Sequence, residues 1–164
     1  MVKGDSMKII FLDIDGVLNC SESIQYFYHK ANTLNASKIF PDVFLSRLRK
    51  LIDLTDAKIV VSSTWRIDYP DGYNWVTLIN NLKKYNLDKE ITDITPDLTH
   101  PSIQRGDEIR KWLNDNKSLN IENFVIIDDD DDMREFTKTN LAQTSWITGF
   151  TEEVYHKALN ILSK

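Results

Sequence analysis

KIIFLDIDG, residues 8–16, is an apolar run that stops abruptly on two aspartates and a glycine. Lys8–Leu12 has no polar alternation, so it reads as a strand buried on both faces, as in a parallel sheet. Working outward, KIVV at 58–61 repeats the pattern and ends at Ser62 and Ser63, and FVII at 124–127 runs into five aspartates, Asp128–Asp132. Ile91–Ile94, stopped by Pro96, and Leu141–Ile147 are weaker strand candidates. Helical spacing separates them. Phe44, Leu48, Leu51 and Ile52 lie on one face of a helix over Asp42–Leu54 behind Pro41, and Trp75, Leu78, Ile79 and Leu82 mark another. Ile109, Trp112 and Leu113 mark a third, opening near Gly106–Asp107. The last starts near Thr151, with Glu152 and Glu153 in its first turn and Val154, Ala158, Ile161 and Leu162 buried. Strands alternating with helices predict an α/β fold, a Rossmann-like three-layer sandwich around a mainly parallel sheet.

The chain has 164 residues, 41% hydrophobic and 27% charged, which suits one packed domain and excludes a disordered polymer. Residues 8–164 are read as that domain and residues 1–7 as a leader or disordered N-terminus. Cys20 is the one cysteine, which excludes an internal disulfide framework and a Cys-rich zinc module and makes a reducing cytoplasm the expected setting. No apolar run reaches the length of a membrane span, and the start lacks the hydrophobic stretch of a secretory signal. The formal charge is −5, but Asp13, Asp15 and Asp128–Asp132 supply seven of the 25 acids. The remaining 18 face 20 Lys and Arg, so with a cation on those seven the acidity does not exclude an anionic substrate. Asn19–Phe40 breaks the alternation. It is polar, holds Tyr26, Phe27, Tyr28 and His29, and reads either as a small flap beside a site or as a surface excursion whose aromatics pack on the body.

In an open parallel sheet the carboxyl ends of the strands share one edge, where ligands bind. That edge would gather Asp13, Asp15, Ser62, Ser63, Asp128 and Asp129. Clustered carboxylates repel unless a hard divalent ion neutralises them, and an oxygen-only donor set points to magnesium. Asp13, Asp15, Gly16 and Glu22 also fall at four places of a calcium-loop pattern, but Phe11 would stand at its first ligand place, behind a strand instead of a helix, so that match is accidental.

FLDIDGVLN, VVSSTWR, RGDEIRKWL and VIIDDDDDM, in that order, resemble the four motifs of the haloacid dehalogenase (HAD) superfamily of phosphohydrolases. Within it, the Trp and Arg after the serines, the EIRKWL helix and GFTEE resemble the small phosphatase domain of Swiss Army Knife RNA-repair proteins. GFT stands where that group usually has GLT. The resemblance implies a HAD-like fold without a large cap domain and a magnesium-dependent phosphomonoesterase that works through an aspartyl-phosphate. It implies Asp13 as nucleophile and Asp15 as acid and base. It implies magnesium held by the Asp13 side chain, the Asp15 carbonyl and the Asp129 side chain, with Asp128, and more remotely Asp132, orienting its waters. Ser62, with Ser63 as competitor, would donate to a phosphoryl oxygen, and Arg105, with Arg110 as rival, would neutralise its charge. The implied partner is a phosphorylated substrate: a nucleic-acid end, with a 3′ phosphate favoured, or alternatively a nucleotide or other small phosphometabolite. A non-catalytic magnesium- or phosphate-binding module is the alternative from another class.

Plainer readings stand beside these. Asp13–Gly16 could be an ordinary turn, and Asp130 and Asp131 read as solvated acids. Trp65 and Arg66 are either packing with a surface ion pair, or a base-stacking platform and a phosphate ligand. His29 and His100 read as surface or loop groups and Cys20 as packing.

Overall fold

A computed structural model describes residues 6–164, so the first five residues of the expected leader lie outside the described residues. Five strands form one sheet in the order β3-β2-β1-β4-β5, and every pairing is parallel. The strands are β1 (Met7–Leu12), β2 (Lys58–Val61), β3 (Ile91–Ile94), β4 (Ile121–Asp128) and β5 (Leu141–Gln143). The helices are α1 (Ser21–Ala31), α2 (Asp42–Thr55), α3 (Tyr73–Leu82), α4 (Arg105–Asp115) and α5 (Glu152–Leu162).

The central strand explains the layering. Ile10 and Leu12 point to one face, where Leu45, Leu48, Leu78, Ala158 and Leu162 of α2, α3 and α5 cover them. Ile9 and Phe11 point to the other, against Ile109 and Trp112 of α4. Phe11 meets the Trp112 ring edge-on at 5.4 Å. All four β1 side chains are fully buried, each contributing about 1.5–3 kcal/mol of transfer free energy. The result is helix, sheet, helix.

Register sets the functional edge. Leu12 pairs with Val61 on one side and Ile127 on the other, so the three inner strands end level. The next residues continue the ladder: Asp13 N–H donates to the Ile127 carbonyl and Ser62 N–H to the Leu12 carbonyl, both at 3.0 Å. Strand order reverses at β1, since β2 lies on one side of it and β4 on the other. The switch-point crevice therefore opens between the DID turn and the aspartate run.

Two segments depart from the sequence reading. The final strand stops at Gln143, four residues short of the expected Ile147, because Thr144 makes a last N–H bond to the Asp128 carbonyl and Ser145–Gly149 then forms a turn. Thr144 Oγ1 donates to the Gly16 carbonyl at 2.8 Å, tying β5 to the DID loop. Asn19–Phe40 contains the helix α1, which the sequence reading left without a helix. Its start is fixed by the Ser23 hydroxyl, which accepts the Cys20 N–H at 2.9 Å, and by the Trp146 carbonyl, which accepts Ser21 N–H. Tyr26 and Tyr28 remain half exposed on it. Among the described residues no helix is long and apolar enough to cross a membrane.

Candidate active site

The crevice is built on a turn that admits only glycine. Gly16 has φ +77°, and a Cβ there would lie 2.4–2.7 Å from the Asp129 carboxylate. That lets the DID loop approach the β4 end closely enough to bring carboxylates from both together. Oxygens of Asp13, Asp128 and Asp129 all lie within 4.8 Å of one another.

Burial makes this cluster electrostatically expensive. Asp13 is 7% exposed, and burial pushes its carboxyl up to about 6. The Arg105 charge and hydrogen bonds from the Ser63 side chain and Ile14 backbone pull the other way, and Asp15 adds a smaller upward push. Asp128 is driven up to about 8, first by burial and then by Asp13. Asp129, less buried, is raised by its own desolvation and by Asp130. Asp128 Oδ1 accepts the Asp130 N–H at 3.0 Å, but its buried Oδ2 has no hydrogen-bond partner. A buried acceptor without a donor, facing two more carboxylates, fits a hard divalent cation. The donor set is oxygen throughout, which suits magnesium better than a soft metal.

Arg105 opens α4 at the rim of this cluster. Its guanidinium is 4.0 Å from Asp128 Oδ2 and 3.8 Å from Glu108 Oε2. Arg110, its rival, points away to Asp107 and Glu135, so the basic group at the acids is Arg105. Asp132 accepts the Arg105 N–H at 3.2 Å and thus helps set the start of α4. Asp128 joins Asp13 and Asp129 in the carboxylate cluster, on the edge where the strand ends were expected to gather it. Asp130 and Asp131 are exposed.

Of the two serines, Ser63 reaches the Asp13 carboxylate, whereas Ser62 Oγ is buried without a partner. Trp65 and Arg66 are not where a substrate would meet them. Trp65 is 3% exposed, and its indole N–H donates to Asp15 Oδ2 at 2.8 Å, which leaves no open face for a base. Arg66 is 4% exposed. Its five donors are all used, on the carbonyls of Thr95, Ser62, Ser63 and Pro96 and on Glu108 Oε2, so it has none for a phosphate. Both correct the substrate-binding reading for one reason: neighbouring chain segments consume their polar groups.

Three residues without an expected role also shape the site. Asn19 Nδ2 donates to Asp15 Oδ1 and to the Ser37 carbonyl, both at 2.8 Å, joining the acid loop to the insertion. Lys38 Nζ lies 4.1 Å from the Trp65 ring centroid. Glu108 takes Arg66 and the Leu98 N–H. Asn19 sits inside FLDIDGVLN and Glu108 inside RGDEIRKWL, so the motifs contained them without marking what they touch. His29 packs on Tyr28, and His100 bonds Ser102.

Comparisons with curated proteins and with solved structures returned no match. The family described as the HAD domain in Swiss Army Knife RNA repair proteins matches residues 9–155. That span reaches from β1 into α5 and takes in the DID turn, both serines, Arg105 and the aspartate run. The chain therefore belongs to this family, and with it to the haloacid dehalogenase superfamily.

Proposed function

We propose that this protein is a magnesium-dependent phosphomonoesterase that works through an aspartyl-phosphate on Asp13 and acts on terminal phosphates of nucleic acid, 3′ in preference to 5′. The observation that carries the reading is the buried Asp13–Asp128–Asp129 cluster with its unpartnered Asp128 Oδ2. Carboxylate oxygens of those three residues and the Asp15 carbonyl would hold the cation, which supplies charge neutralisation for an incoming phosphate.

In the first step an Asp13 carboxylate oxygen attacks phosphorus in line. The bond from phosphorus to the leaving oxygen breaks as the Asp13–phosphorus bond forms, and Asp15 gives its proton to that oxygen. In the second step Asp15 takes a proton from water as the water oxygen attacks phosphorus, and the bond between phosphorus and the Asp13 oxygen breaks. Inorganic phosphate departs and both carboxyl groups are restored. Arg105, whose guanidinium is held only by long contacts, neutralises charge on the phosphoryl oxygens. The Ser63 hydroxyl, already at Asp13, is the hydrogen-bond donor we assign to them in place of Ser62.

The substrate class rests on openness. Among the described residues the insertion between β1 and α2 holds only α1 and one short turn, with no large cap domain over the crevice, so a phosphate at the end of a polymer has room to enter. The polymer reading agrees with the RNA-repair setting named for the family. Phosphate release with magnesium from oligonucleotides phosphorylated at the 3′ or the 5′ end, and from mononucleotides, tests it. Release from the 3′-phosphorylated oligonucleotide is expected to dominate. A strong preference for mononucleotides would replace the polymer with a small metabolite, and no release from any phosphate ester would leave only a binding module.

A further inference from the structure

Asp15 has the most exacting task in that mechanism, because one carboxyl group must face the leaving oxygen and then water from the same position. It sits in a loop just after β1, where a free side chain would turn between rotamers. Here both of its oxygens are taken at 2.8 Å, Oδ1 by Asn19 Nδ2 and Oδ2 by the indole N–H of Trp65. Each oxygen keeps a further lone pair, free to face the leaving group or water.

Trp65 is itself immobilised. Its ring is buried against Phe40, with centroids 5.6 Å apart, and Lys38 Nζ sits over it while bonding Asn74 Oδ1 at 2.7 Å. Its backbone N–H donates to Ser63 Oγ, the hydroxyl that serves Asp13, and the next residue, Arg66, pins the Ser62 and Ser63 carbonyls. The turn after β2 thus fixes the surroundings of both carboxyl groups at once.

We propose that Trp65 is a positioning residue, whose indole N–H holds the Asp15 carboxyl in the orientation for proton transfer to the leaving group. The inference rests on the reading of Asp15 as the acid. A proton-transfer role makes its loss depend on the leaving group: an alkyl oxygen needs the proton, whereas dinitrophenolate leaves without it.

The test compares kcat/KM, which reports steps up to departure of the leaving group, for an alkyl phosphate and for 2,4-dinitrophenyl phosphate. Trp65→Phe keeps the ring and removes the donor. It is expected to lower kcat/KM about 10–100-fold for the alkyl ester and leave the dinitrophenyl ester within about twofold, as misplacing a catalytic group does. Benzothienylalanine at position 65, with sulfur in place of N–H, preserves the bicyclic shape should Trp65→Phe fold poorly, and is expected to give the same split. Asp15→Asn serves as the reference. If it shows the split while both position-65 variants lose nothing, or lose both substrates equally, the role of the indole is overturned alone. If Asp15→Asn matches wild type on both esters, the reading of Asp15 falls and takes this inference with it.

Discussion

The nest around Arg66 and the crevice around Asp13 are neighbours, both buried and both charged, yet their polar atoms are served in opposite ways. Arg66 has five N–H groups and five acceptors, four of them main-chain carbonyls. Arg105 leans on the same Glu108 at 3.8 Å, while Asp128 Oδ2 and Ser62 Oγ have no hydrogen-bond partner. Folding accounts for the first arrangement, because each bond offsets the desolvation of a donor and an acceptor. It does not account for the second, since an unsatisfied buried polar group costs about 1–3 kcal/mol. Equal burial and similar charge therefore mean different things. Partner counting separates a charge that holds the chain from one that awaits a ligand.

The sharpest way to break this contrast is Asp13→Asn. Removing the proposed nucleophile is expected to cost about 10⁴-fold in phosphate release. Thermal unfolding is expected to hold or rise, since a crowded buried carboxylate is gone. A destabilised Asp13→Asn chain would place this residue with the structural set. The second comparison pairs the two arginines. Arg66→Met is expected to cost about 3–5 kcal/mol in urea unfolding, because it strands Glu108 and four carbonyls. Arg105→Ala is expected to cost about 10²-fold in turnover and under about 1 kcal/mol in stability. Reversed outcomes would exchange the two roles.

The last comparison is one of pH. Asp13 and Asp128 bind protons more tightly in the folded chain, about 6 and about 8, than an unfolded aspartate near 4 does. The folded state therefore holds more protons across that window, and metal-free stability falls as pH rises through it. In chelator, the melting temperature is expected to drop by about 2–4 °C for each kcal/mol lost. In magnesium the slope flattens, because binding displaces those protons. Parallel curves with and without magnesium would separate the raised carboxyls from the cation.

Much of this was legible in the chain. KIIFL, KIVV and FVII are apolar without alternation because the sheet buries both faces of each strand, and the polar residues behind them mark the open edge. Leu141–Ile147 misled because β-branched and aromatic residues near Trp146 look like a strand, whereas Thr144 finds its partner on Gly16, far away in sequence. Trp65-Arg66 misled for a related reason. A tryptophan beside an arginine has the composition of a nucleic-acid contact, and only the packed neighbours reveal that both side chains are spent internally. The α1 start could have been found from Ser23, three residues after Cys20, but its few large apolar side chains gave no strong periodicity.

The amino-acid order by itself determined the alternating α/β plan, the DID turn with its obligatory glycine, and the acids that terminate β1 and β4. These follow from local rules: which residues tolerate full burial, which backbone angles need no Cβ, and where an apolar run must stop. Three-dimensional packing decided the partners. It chose Arg105 over Arg110, used up Arg66, and turned the Trp65 indole onto Asp15. Hydrogen bonds act over about 3 Å, and no spacing along the chain says which distant group will stand at that distance once the layers close.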